Sequence, residues 1–201
     1  MLVRAISNKR KRQIVEGKFY AVFIENRESN EIRIIDGAGG LSVYDLVDFE
    51  ISVKNIDSYE EKNGSLVYKL IDYPTFLEDY YNDNRKSVND LLQSQINIFK
   101  EDLTSEELVK LITSEIYSDD EKIVFIEAVK NRIDDHLSKV LARYFQSKDN
   151  IEVDLLLSIC ILLSSHQNQE IYDLFLKYII DDTCNNESVE KIVIEYFNTY
   201  N

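Results

Sequence analysis

NIEVDLLLSICILLSSHQNQEIYDLFLKYIIDD, residues Asn150 to Asp182, reads as two helices folded back on each other. In its first half Ile151, Val153, Leu155, Leu156, Leu157, Ile159, Cys160, Ile161, Leu162 and Leu163 set apolar groups at every angle around the helix, which predicts an element enclosed on all sides. The second half is one-sided. Ile171, Leu174, Phe175, Tyr178 and Ile179 recur at the three-and-four spacing of a packed face. Ser164-Ser-His-Gln167 joins the two helices, and such a hairpin needs helical neighbours to bury its apolar surface.

Those neighbours extend in both directions. Every glycine lies at or before Gly64 and the only proline is Pro74, so the rest of the chain lacks the residues that punctuate strands and turns. This divides the sequence into a strand-rich part, 1–73, and a helical part, 74–201, an α+β class. Periodic apolar runs predict helices over Val88–Phe99, Glu106–Tyr117, Glu121–Asn131, His136–Gln146 and Ser188–Tyr200. Ser87-Val-Asn-Asp90, Thr104-Ser-Glu-Glu107 and Ser118-Asp-Asp-Glu121 each place a hydroxyl three residues before a carboxylate, the signature of a capped helix start.

The helical part also repeats itself. Sliding the chain along itself until Leu137 meets Ile171 lays Val140, Leu141 and Phe145 on Leu174, Phe175 and Ile179, and the same shift lays Ile123, Phe125 and Ile126 on Leu157, Ile159 and Cys160. On these residues the segment from Asp119 to Tyr200 resembles a HEAT-like α-solenoid. The period also suits tetratricopeptide repeats, but their Trp, Leu-Gly and Pro positions have no counterpart, so an irregular helical bundle stays open beside the solenoid. The resemblance implies stacked hairpins that present the second helix of each pair on a binding face.

In the first part, Lys18–Glu25, Glu31–Ile35, Leu41–Tyr44 and Phe49–Val53 read as strands, and Asn63-Gly64 marks a hairpin between Ile56–Tyr59 and Ser65–Ile71. Asp45-Leu-Val-Asp48 reads as one tight helical turn. The run Gly17-Lys-Phe-Tyr-Ala-Val, the Ile34-Ile35-Asp36 segment and Tyr44-Asp45-Leu-Val-Asp-Phe49 make this part similar to a small SH3-like antiparallel barrel. Fold similarity at this level carries no function.

Composition narrows the function classes. The chain carries a net charge of −14. Residues 1–72 hold 11 Lys+Arg against 12 Asp+Glu, so residues 73–201 hold 12 against 25, a net of −13. That field repels phosphates and membrane surfaces and favours basic partners, with simple solubility as the plainer reading of the same charge. The first residues lack the apolar segment of a signal peptide and no apolar run approaches a membrane span, which predicts a cytoplasmic protein. Cys160 and Cys184 make no disulfide framework, and His136 and His166 lack zinc spacing. Richness in Ile, Asn, Lys, Asp, Glu and Tyr matches an AT-rich bacterial or phage genome.

Candidate chemistry is sparse. Lys9-Arg-Lys-Arg12 is the one basic cluster, and a solvated loop is its simpler reading than a nucleic-acid contact. Asp119-Asp-Glu121 and Asp181-Asp182 sit at helix ends, where the dipole or water satisfies them. His136 beside Asp134-Asp135 suits solvated surface better than an oriented base. No phosphate loop or nucleophile motif appears. The expectation is therefore a non-enzymatic, cofactor-free and metal-free protein that binds another protein through its acidic helical half, as a bacterial immunity or inhibitor protein does. A phage-type DNA mimic is the alternative, and an enzyme with no recognisable motif the third. The partner is sought first at Glu170, Tyr172, Asp173 and Lys177, with Lys139 and Arg143 on the helix His136–Gln146, one repeat earlier.

Overall fold

Alternation of β-branched and aromatic residues with polar ones, broken by turn formers, makes the first part antiparallel. The computed structural model describes residues 1–7, 13–180 and 186–200. Among them the class is α+β, with eight strands followed by eight α-helices, and the chain divides into two compact units, Met1–Asp102 and Leu103–Asn201.

The first unit contains β1 (Leu2–Ala5), β2 (Phe19–Ala21), β3 (Ile24–Asn26), β4 (Glu31–Ile35), β5 (Leu41–Asp45), β6 (Phe49–Val53), β7 (Tyr59–Lys62) and β8 (Ser65–Tyr68). They pair as two antiparallel sheets, β2-β1-β6 and β5-β4-β3-β8-β7. The expected closed barrel is not found among the described residues. The predicted strand Lys18–Glu25 is interrupted at Val22-Phe23, where Val22 N–H bonds Met1 O while Phe23 N–H turns to Arg33 O, so one stretch of chain serves both sheets. A 3-10 turn at Leu46–Asp48, capped by the Asp45 carboxylate on Val47 N–H, separates β5 from β6. Asn63 and Gly64, with φ of 50° and 75°, turn β7 into β8. Gly37 is required by proximity: its N–H bonds Gln13 O at 2.8 Å, and a Cβ there would stand 2.9 Å from the same oxygen.

Strands give way to helices where glycine and proline end, yet the first unit reaches Asp102. The reason is packing: after α1 (Phe76–Tyr81), α2 (Arg85–Asp102) lies against β1, β2 and the 3-10 turn at Lys69–Ile71. Leu91, Ile98 and Phe99 of α2 are buried, as are Leu2, Val3 and Ile34 of the sheets and Val22 and Phe23 between β2 and β3. At the foot of α2 the buried Asp102 carboxylate pairs with the buried Met1 amine at 2.8 Å, and that amine also donates to Tyr59 Oη at 2.9 Å. Burial lowers the pKa of the amine and raises that of Asp102.

The second unit holds α3 (Ser105–Ile112), α4 (Asp119–Val129), α5 (Asp135–Gln146), α6 (Val153–Leu163), α7 (Gln169–Ile180) and α8 (Glu187–Thr199). α4, α6 and α8 open at one even step along the chain, at Asp119, Val153 and Glu187, and α5 and α7 keep the same step, at Asp135 and Gln169. They pack in two rows, α3-α5-α7 and α4-α6-α8, with α3 also on α4 and α7 on α8. Neighbours within a row run parallel: Asn168 at the head of α7 bonds Asp135 and Ser138 at the head of α5, and Lys177 near the tail of α7 bonds Gln146 O at the tail of α5. The prediction that α6 is enclosed on all sides is corrected. Val153 and Ile161 are exposed and Leu157 is half-buried, because neighbours occupy its flanks and leave a stripe at positions i, i+4 and i+8 open.

Candidate partner-binding surface

The caps that start the helices also fix which charges can meet a partner. Thr104 and Ser118 form capping boxes with Glu107 and Glu121, while Asp134, Asn168 and Asn186 accept from backbone amides at the heads of α5, α7 and α8. Ser87 is no cap. It lies inside α2 with its hydroxyl on Asn84 O, and Asn84 Oδ1 receives Lys86 N–H instead.

Of the six residues singled out from the sequence, Arg143 and Glu170 pair with each other between α5 and α7, while Lys139 and Lys177 are engaged by groups outside the six. Arg143 Nη2 pairs with Glu170 Oε1, and Lys139 Nζ pairs with Asp135 Oδ2 at 2.6 Å. Glu170 is held below the usual carboxylate range by backbone hydrogen bonding and then by Arg143; Asp135 is lowered by Lys139 and then Asn168. Lys177 Nζ donates to Gln146 O and Lys148 O at 2.9 Å each, closing the tail of α5. Its ammonium also stands 3.7 Å from Asp149. Asp173 accepts from Gln169 Nε2 at 2.7 Å. Tyr172 points away from this strip, its ring centroid 4.9 Å from those of Phe197 and Tyr200. The sequence sets all of these on one outer face; their partners one period earlier in the chain are not legible from α7 alone.

The unit is nevertheless acidic. Residues 103–201 hold 9 Lys+Arg against 19 Asp+Glu, a net of −10. Because α4 and α6 run parallel, the carboxylates of their first turns share one edge. Asp119 at the head of α4 and Glu152 and Val153 at the head of α6 line the same cavity of about 330 Å³. Asp149, Ile151, Leu156, Lys148 and Tyr178 complete much of its wall. Lys148 is engaged there by Glu115 and by the Tyr144 ring at 4.8 Å, and Lys177 by its carbonyls. Asp120, Asp149, Glu152 and Asp154 stand exposed along this edge, and α8 continues the pattern with exposed Glu187 and Glu190. The signal was present in the sequence as acidic residues at matching helix starts, for example Asp120 and Asp154.

His136 is exposed at the start of α5. Among the described residues no three His, Cys, Asp or Glu side chains gather as metal ligands. Cys160 is fully buried. The Lys9–Arg12 cluster, Asp181-Asp182 and Cys184 lie outside the described residues. No helix among the described residues is long and apolar enough to cross a membrane. Comparison of the chain with protein-family models, curated proteins and solved structures returned no match.

Proposed function

We propose that the chain is a non-enzymatic protein-binding module whose helical unit engages a basic partner. The observation that carries this reading is the acidic edge, where parallel packing lines up exposed carboxylates at the heads of α4, α6 and α8 while the internal strip between α5 and α7 cancels its own charge. Such an edge accelerates encounter with a basic surface and repels acidic ones. An inhibitor or immunity protein that covers the basic site of another protein is the narrower form of the proposal.

Two fold readings accompany it. The even spacing of the helix starts and the two-row packing support a HEAT-like solenoid for α4 to α8. In the first unit, β1, the shared β2/β3 stretch, β4, β5, the 3-10 turn and β6 follow one another as in a small SH3-like barrel, to which β7 and β8 add a hairpin.

The test is capture from native lysate with the full chain immobilised, eluting with salt. The expected partner is a basic protein, released by salt, whose retention falls by roughly tenfold in an Asp120→Asn/Glu152→Gln/Asp154→Asn variant. A Glu170→Ala/Tyr172→Ala/Asp173→Ala variant tests the α7 face separately. Retention unchanged in both would refute the proposal. Release of the partner by duplex DNA would favour the DNA-mimic reading, which the row of carboxylates also suits.

A further inference from the structure

Matching positions in successive helices let the interior of each row be compared with its end. Ser138, Ala142 and Phe145 lie on one stripe of α5, 0%, 0% and 2% exposed, and Ser138 places that stripe against the head of α7. Their counterparts on α7 are Tyr172, half-buried, Leu176, 38% exposed, and Ile179, 46% exposed. Cys160 of α6 is 0% exposed with α8 beside it, whereas its counterpart Ile194 on α8 is 46% exposed. Among the described residues no further helix follows either row. The two open stripes, Tyr172-Leu176-Ile179 and Glu190-Ile194-Phe197, meet where the Tyr172 and Phe197 rings touch at 4.9 Å, making one continuous surface.

The residue choice runs against a solvent-facing end. A stack that stops in water needs a polar outer face. Here Leu176 stands where α5 has Ala142, and Ile194 where α6 has Cys160, so at these two positions the open end carries larger apolar groups than the closed interior. The charges around it decide what covers it. Asp173, Glu187 and Glu195 flank the two stripes and Glu190 begins one of them, Lys191 lies 3.9 Å from Glu195, and the Lys177 ammonium is held by two carbonyls. A second copy would bring this acidic rim against itself. We infer that the open end formed by α7 and α8 receives an amphipathic helix with an apolar stripe and basic flanks, supplied by a partner protein. This rests on the proposed partner-binding role and names the surface and the partner's chemistry.

The experiment uses the full chain and two synthetic amphipathic helical peptides, one of leucine and lysine, the other of leucine and glutamate, followed by fluorescence anisotropy. The leucine–lysine peptide should bind the unmodified chain and an Ile161→Asn control on α6, and bind a Leu176→Asn/Ile194→Asn variant at least about tenfold more weakly. The leucine–glutamate peptide should not bind. Circular dichroism melts check each variant, and Ile194→Asn alone, at a half-exposed position, replaces the double variant if that one does not fold. Equal binding by the end-face variant, or equal binding of the two peptides, overturns the inference. So does a dimer of the unmodified chain that the same substitutions dissociate, since a second copy would then be the occupant. If the end-face variant still binds while the Asp120/Glu152/Asp154 variant loses its captured partner, only the end face is refuted and the partner-binding role stands.

Discussion

Asn168 ties three helices with one side chain and one carbonyl. Its Oδ1 accepts Ile171 N–H at 3.0 Å and caps α7, its Nδ2 donates to Asp135 Oδ1 and Ser138 Oγ on α5 at 3.0 and 3.1 Å, and its main-chain oxygen accepts from Tyr196 Oη of α8 at 3.3 Å. Truncation removes a cap and the amide that donates to the fully buried Ser138 hydroxyl, which keeps only its own bond to Asp135 O. Asn168→Ala should therefore lower stability by about 1–3 kcal/mol. Urea unfolding reads this as a lower midpoint at unchanged slope. Asn168→Asp keeps the cap but sets a carboxylate against Asp135, so it should also be less stable than the unmodified chain. If it matches, the bonds to α5 contribute nothing and the residue is only a cap. The cap itself was visible as a polar residue before a periodic run, and Asp134 plays the matching role for α5. The inter-helix bonds were not, because they join residues far apart in the chain whose meeting depends on parallel packing.

At the scale of elements, the strongest local signals decided the outcome. The Asn-Gly turn, β4 and β6 at their expected bounds and the Asp45-capped turn all depend on neighbours a few residues away, as do the boxes Thr104–Glu107 and Ser118–Glu121. Interruptions and exposure depend on distant contacts. The break at Val22-Phe23 arises because Met1, just before β1, and Arg33 of β4 accept from successive amides, and the exposed stripe of α6 arises because a row of helices covers flanks and leaves an outer side. α2 is the instructive case. Its hydroxyl-carboxylate pattern at Ser87 lies inside the helix, whose cap is Asn84. Asn84→Ala should cost about 1 kcal/mol and speed hydrogen exchange at Lys86 N–H, the amide it holds at 2.9 Å. Ser87→Ala should leave exchange at Lys86 unchanged. The opposite pattern would return the cap to Ser87.

Across the whole molecule, acid should act on the two units in opposite senses. In the helical unit Glu115, Asp135 and Glu170 have pKa values below their ordinary ones, through Lys148, through Lys139, and through backbone hydrogen bonding followed by Arg143. A carboxylate whose folded pKa lies below its unfolded pKa contributes stability that is complete above the unfolded value and is lost as pH falls through the folded one. In the strand-bearing unit Asp102 is shifted the other way by burial, so protonation there favours the folded state as pH falls towards the ordinary carboxylate value. Hydrogen exchange should therefore show protection in α5 and α7 declining below about pH 4, while β1 and α2 keep theirs over the same range. A Glu115→Gln/Asp135→Asn/Glu170→Gln variant should start less protected near neutral pH and change less with acid. Because Glu115 and Asp135 are solvent-exposed and Glu170 is half-buried, salt should narrow the difference between variant and unmodified chain. Simultaneous loss of protection in both units, with the variant following the same curve, would show that these pairs do not set the acid response and that repulsion among the protein's excess charges does.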